Sequence, residues 1–151
     1  VDVTPTNYAA IERFAHWQAA IEMSRHSPWI GVGLGNYDAA YPRARLIAWP
    51  IPLGHAHNYY LNVLAETGII GLCTYLAMWV IIFVLTWRAR RHPSPLSSAA
   101  AAGLLGTWTY IAVHSLTDQL YVNSVFLHVG VLIGIAALLA RQTSHSTRLS
   151  L

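Results

Sequence analysis

Two histidines, His55 and His57, stand directly ahead of Asn58, Asn62 and Glu66 and of a long uncharged run. A histidine titrates near neutrality, so at this position it can take a proton from a hydroxyl group. It can also bind a metal ion. A zinc site needs three or four suitably spaced ligands, and His55-x-His57 supplies two, with no H-E-x-x-H or cysteine cluster beside them. A third reading is an interfacial histidine with a structural role. His55 reads as the neighbour and His57 as the residue to watch.

The other groups able to do chemistry are arginines and a late His–Asp pair. Arg13 is either a phosphate clamp or a snorkelling, salt-bridged side chain. Arg25, Arg43 and Arg45 each read as ordinary surface cations, although a phosphate-rich ligand needs more than one donor. His114, Asp118 and His128 lie at or inside apolar segments, where ionisable groups are rare and point to function. His114 and Asp118 are four apart and would share a face if their helix ran that far. They could orient His57 or a substrate-binding arginine, or form a structural hydrogen bond between helices. No G-x-S-x-G, P-loop lysine or spaced carboxylate pair is present, which argues against a hydrolase with a covalent Ser or Cys nucleophile. A His base with arginines suits transfer from a pyrophosphate-linked donor, whose leaving group needs its charge held while a hydroxyl is activated.

These residues are positioned by helices. Thr6 to His26 reads as an amphipathic helix capped by Thr6 or Asn7, with Ile11, Phe14, Ala15, Ala19 and Met23 on its apolar side. Gly31, Gly33 and Gly35 follow Pro28 in alternation. Their spacing is wrong for a dinucleotide fingerprint, so they suggest a tight loop needing open backbone angles, or amides approaching a phosphate. A short helix from Asn36 to about Tyr41 should stop at Pro42. The next helix should begin near Asn58.

The fold expected is all-α: a polytopic membrane protein fragment with an external helix-and-loop region, 1–57, ahead of a transmembrane region, 58–141. Its three spans are placed at about 68–87, 97–116 and 120–140. The run from Gly68 to Trp87 has 20 uncharged residues, which at about 1.5 Å per residue reaches roughly 30 Å, the thickness of a bilayer core. The composition agrees: 55% of residues are hydrophobic and only 10% charged, against about 25% in soluble domains. Arg88, Arg90, Arg91, Arg141 and Arg148 flank one side, which the positive-inside rule makes cytoplasmic. Residues 142–151 then form a polar cytoplasmic tail, and 1–57 lie outside. The formal charge of +3 fits basic flanks, and no nucleic-acid motif appears. Val1-Asp2-Val3-Thr4-Pro5 reads as mid-chain sequence, so a C-terminal part of a larger protein is expected.

Three pieces, in order, resemble the O-antigen ligase and O-antigen polymerase superfamily of bacterial inner-membrane proteins. They are Glu12-Arg13 with Trp17 followed by the segment Pro28–Tyr37; His57-Asn58 with Glu66-Thr67-Gly68-Ile69-Ile70-Gly71-Leu72; and His114-Ser115-Leu116-Thr117-Asp118. The resemblance implies a metal-independent, inverting glycosyltransferase without a cofactor, working at the periplasmic face of the inner membrane. It implies an undecaprenyl-pyrophosphate-linked glycan as donor. The acceptor would be a growing glycan, the lipid A–core sugar or a protein hydroxyl. By motif, His57 would be the general base and Arg13 would bind pyrophosphate. Asn58, Glu66, Gly68 and Gly71 match the motif and would shape the helix entry, with His114 and Asp118 as support. The motif does not assign Arg43 or Arg45, which stay candidates for the donor's second charge. Family members have many more spans than the three counted here, so this stretch alone would not be expected to act. A solute transporter or a non-catalytic scaffold are the alternatives.

Overall fold

The computed structural model describes residues 2–121 and 123–149, with side chains to Arg141. The described residues are helical with no strand: α1 (Tyr8–His26), α2 (Tyr37–Ala44), α3 (Tyr59–Ala89), α4 (Pro95–His114) and α5 (Val125–Leu149). They divide into two compact units, one of residues 2–75 with 114–119, the other of 76–113 with 120–149.

The first unit packs α1 against α2. Its core is Ala19, Ala20, Met23, Tyr37, Tyr41, Ala56 and Ala65. On α1 the buried stripe is Ala15, His16, Ala19, Ala20 and Met23. The stripe is turned from the expected one: Phe14 is exposed, and a histidine takes a core position instead. Small alanines let α2 approach closely, and two tyrosines fill the space. Arg25 pairs with Glu22 at 3.3 Å on the surface. Pro42 does not stop α2. Its ring costs the helix one backbone donor, and the helix runs two residues further before Arg45 turns extended.

The glycine loop and α3 are built into one another. α3 is interrupted at Gly68, where φ is 65° and ψ −168°. That break strips backbone groups of their helical partners, and the glycine loop supplies replacements. The Val32 and Gly33 amides donate to the Ala65 and Glu66 carbonyls, both at 2.9 Å. In return the Ile69 and Ile70 amides donate to the Pro28 and Trp29 carbonyls at 2.8 and 3.3 Å. The Glu66 carboxylate accepts the Tyr37 amide at 3.2 Å and so caps α2. Gly31 has φ 66°, and a Cβ there would meet the backbone of Glu66 and Thr67; one on Gly68 would meet the backbone of Trp29 and Ile30. The tight-loop reading of the glycines therefore describes them. The Val32 and Gly33 amides are spent on carbonyls and are not held out to a phosphate.

In the second unit Trp108 is fully buried, stacks edge-on to Trp79 at 5.7 Å and donates through Nε1 to Thr86 Oγ1 at 3.0 Å. Outward-facing apolar side chains such as Val80, Ile81, Val113 and Val131 are exposed, as lipid-facing residues must be. Tyr59–Ala89 and Pro95–His114 are long and apolar enough to cross a membrane; Val125–Arg141 is a shorter apolar run of 17 residues. The third apolar helix thus starts at Val125, five residues after the start expected for the third span, because the described residues 115–121, 123 and 124 are non-helical. α5 also continues to Leu149 through the stretch expected as a tail from 142. Residues 150 and 151 lie outside the described residues.

Candidate functional site

His57 lies at the mouth of α3 in a loop pinned from both sides. Asn58 caps α3 by accepting the Leu61 amide on Oδ1 at 3.0 Å. Its Nδ2 donates to the Leu116 carbonyl at 2.9 Å, and the Tyr59 amide donates to the Ser115 carbonyl at 2.8 Å. One asparagine therefore starts a helix and ties it to the stretch after α4. Asn62 accepts the Ala56 amide at 3.1 Å, which fixes the loop from below. On the α1 side the indole N–H of Trp17 donates to the His57 carbonyl at 3.2 Å. So held, His57 adopts φ 50°, a left-handed conformation uncommon for a non-glycine residue and of the kind that collects at functional sites.

The side chains around His57 are titratable. Asp118 Oδ1 lies 3.6 Å from His57 Nδ1, and that nitrogen is buried without a hydrogen-bond partner among the described residues. The His55 ring is 4.4 Å from the His57 ring, and its Nδ1 accepts the His57 amide at 3.2 Å. His16 meets His57 edge-on at 5.8 Å and stacks on Tyr41 at 4.8 Å. Tyr37 donates its hydroxyl proton to the His16 carbonyl at 3.1 Å, which leaves the Tyr37 hydroxyl oxygen to accept from His16 Nδ1 at 3.2 Å. His16 is then the Nδ1–H tautomer, assigned from its partners.

Burial lowers the pKa of His16 and His55, and repulsion from His57 adds to it in each case. Both are therefore neutral at pH 7. For Asp118, burial pushes upward, but the Gln119 amide at 2.8 Å and the His57 ring outweigh it and hold the carboxyl below its ordinary value. A carboxylate beside Nδ1 favours a proton on that nitrogen and leaves Nε2 free to accept one. The Asp118 side chain keeps 44% of its exposure and the His57 side chain 19%, so the pair can be reached from outside.

Arg13 shares a helical face with His16 and Trp17, three and four residues on. Its Nη1 donates to the Ala9 carbonyl at 3.3 Å, and its Nε is buried with no partner among the described residues. Arg43 is elsewhere. It lines a cavity of about 450 Å³ with Met23, His26, Val32, Asn36 and Ala40. Arg45 follows α2, close enough to act electrostatically on Tyr41. His114 and Asp118 do not share a helix face: α4 ends at His114, whose carbonyl accepts the Thr117 and Asp118 amides as the chain turns. Asp118 reaches His57 through that turn. Glu66 and Gly68 belong to the helix break, and His128 Nδ1 stays local, 3.2 Å from the Ser124 carbonyl. Sequence reasoning missed His16, Tyr37 and Tyr41. One signal was available: His16 falls on the i, i+3, i+4, i+7 stripe with Ala19, Ala20 and Met23.

Comparison with known proteins gives two findings. Residues 6–76 match the O-antigen ligase family. The chain is 32% identical over 92 residues to an O-antigen ligase of Pseudomonas aeruginosa strain PAO1, a stretch that covers 61% of this chain. The chain spans about a fifth of that relative's length, 20%.

Proposed function

We propose, from the match of residues 6–76 to the O-antigen ligase family, that the chain is a segment of that family and that the His57–Asp118 pair is the proton-accepting centre of a glycan-transferring membrane enzyme. The observation that carries this is the geometry at His57: a strained, pinned histidine with a carboxylate 3.6 Å from its Nδ1. In the proposed reaction His57 Nε2 takes the proton of an acceptor hydroxyl. The acceptor oxygen forms a bond to the anomeric carbon from the face opposite the leaving group, with inversion. The bond from that carbon to the pyrophosphate oxygen breaks, and its electron pair leaves with the lipid pyrophosphate. Asp118 holds the tautomer and steadies the imidazolium. Arg13, with its unpartnered Nε, takes charge on the donor pyrophosphate. Arg43, in its separate cavity, and Arg45 have weaker support for that role. No metal or cofactor is required in this scheme. The donor is an undecaprenyl-pyrophosphate-linked glycan, and the acceptor is a glycan, lipid A–core sugar or protein hydroxyl. The site faces the periplasm, on the positive-inside rule read from the arginines of the sequence.

The test is complementation of a strain lacking the parent gene by wild type or His57→Ala at matched membrane levels. Loss of surface glycan with build-up of lipid-linked precursor is expected. A ladder stopped at one repeat would mark a polymerase; acceptor left wholly uncapped would mark a ligase. Normal glycan in the variant would overturn the reading and favour a transporter or scaffold.

A further inference from the structure

His55, His57 and Asp118 each offer a ligand atom, and these atoms all lie within 4.8 Å of one another. Two ligands of a tetrahedral zinc ion, each about 2.0–2.1 Å from it, are roughly 3.4 Å apart. His57 Nδ1 and Asp118 Oδ1, at 3.6 Å, already stand at nearly that separation. The nitrogen is buried with no hydrogen-bond partner among the described residues, so binding there breaks no hydrogen bond and only exchanges the direct contact with Asp118 for a shared ion. His55 completes the set from within that 4.8 Å. All three side chains are partly exposed, which leaves a fourth position for water. Imidazoles and a carboxylate suit zinc or a chemically similar transition ion and disfavour magnesium, which prefers an octahedral oxygen shell.

We propose that His55, His57 and Asp118 form an open three-ligand site for Zn²⁺, and that its occupation removes His57 from service as a proton acceptor. The second half rests on the function proposed above; the first does not. The blocking follows from the ring's tautomers. Zinc on Nδ1 displaces the proton from that nitrogen, and the neutral imidazole then carries its proton on Nε2, the atom that must accept one. Recruiting His55 also has a cost. Its Nδ1 accepts the His57 amide, and that bond is released if either ring nitrogen is to face the ion in the right tautomer. This makes the site an exchangeable, inhibitory one.

The experiment uses the full-length parent protein, purified in detergent and stripped with EDTA. ZnCl₂ is titrated by calorimetry, with MgCl₂ as control. Wild type should bind zinc in one saturable step and magnesium not at all. His55→Gln and Asp118→Asn should each weaken zinc binding by about tenfold or more. Zinc should raise the melting temperature of wild type more than that of either variant at the same concentration; melting without zinc shows that both variants fold. No zinc binding by wild type, or affinity unchanged in both variants, overturns the site. Glycan transfer should be half inhibited at the zinc concentration that half-saturates binding, and restored by EDTA. Transfer unaffected by saturating zinc overturns the blocking while the binding stands. A protein that binds zinc as expected but transfers nothing without it counts against the proposed reaction, not the site.

Discussion

Replacing Gly31 or Gly68 by alanine should unfasten the first unit, while the same change at Gly35 or Gly54 should cost backbone strain alone. All four have positive φ, between 65° and 81°. A positive φ penalises an L-residue at all four, by about 1–2 kcal/mol or more, and most at Gly68, whose ψ of −168° is open essentially to glycine alone. The difference is what the new methyl meets. At Gly35 and Gly54 nothing lies within 4 Å, whereas at Gly31 and Gly68 it runs into backbone of the opposite segment. Backbone held by hydrogen bonds cannot step aside without losing them. Four such bonds join the loop to the break in α3, and at about 0.5–1.5 kcal/mol each they represent roughly 2–6 kcal/mol. Gly31→Ala and Gly68→Ala should therefore cost about 3–8 kcal/mol with the strain included. Native proteins hold only about 5–15 kcal/mol in total. Thermal melting of the full-length protein in detergent, with membrane protein level as a second readout, is the assay. Equal melting temperatures for Gly31→Ala and Gly35→Ala would refute the interlocking argument.

Asp118→Asn should cut glycan transfer at least about tenfold by loosening the His57 tautomer, yet cost no more than about 1 kcal/mol of stability, since its ion pair is part exposed; rate and melting on the same preparation check this. Asn58→Ala should lower stability by about 1–3 kcal/mol through loss of the α3 cap and of the bond to the Leu116 carbonyl. Asn58→Asp, which keeps the cap acceptor, should melt nearer the wild type. Because burial depresses the pKa of His16 below 6.5, the unfolded chain binds that proton first as pH falls. Stability should be full above about pH 6.5 and decline below it, and His16→Asn should flatten part of the decline in melting temperature measured between about pH 8 and 5.

Much of this arrangement is legible in the residues, and the illegible parts share a cause. Charge and hydropathy alone place the apolar run from Gly68, but they do not foresee the break in the helix at that residue. Alternating glycines signal open backbone angles, and Gly31, Gly33 and Gly35 all have positive φ. Local pattern does not say what those angles are for. The partner of the loop is a helix break more than 30 positions away, and only the fold brings Val32 to the Ala65 carbonyl. The same limit hides His16. An apolar stripe drawn from side-chain type favours Phe14, but the histidine finds a tyrosine hydroxyl to bond in the core, while Phe14 stays outside it against Trp17. His114 and Asp118 look like helix neighbours at a spacing of four. The helix ends at His114, and what matters is the turn that swings Asp118 to His57.

The central claim is that His57 accepts the acceptor's proton. Its most direct test is the single-turnover rate of glycan transfer by the purified full-length protein, supplied with lipid-linked donor and acceptor, for wild type and His57→Ala. Donor binding is measured alongside. A loss of about 10²–10⁴-fold in rate with donor affinity retained is the predicted result. A His57→Ala protein that folds, binds donor and transfers glycan at the wild-type rate would contradict it.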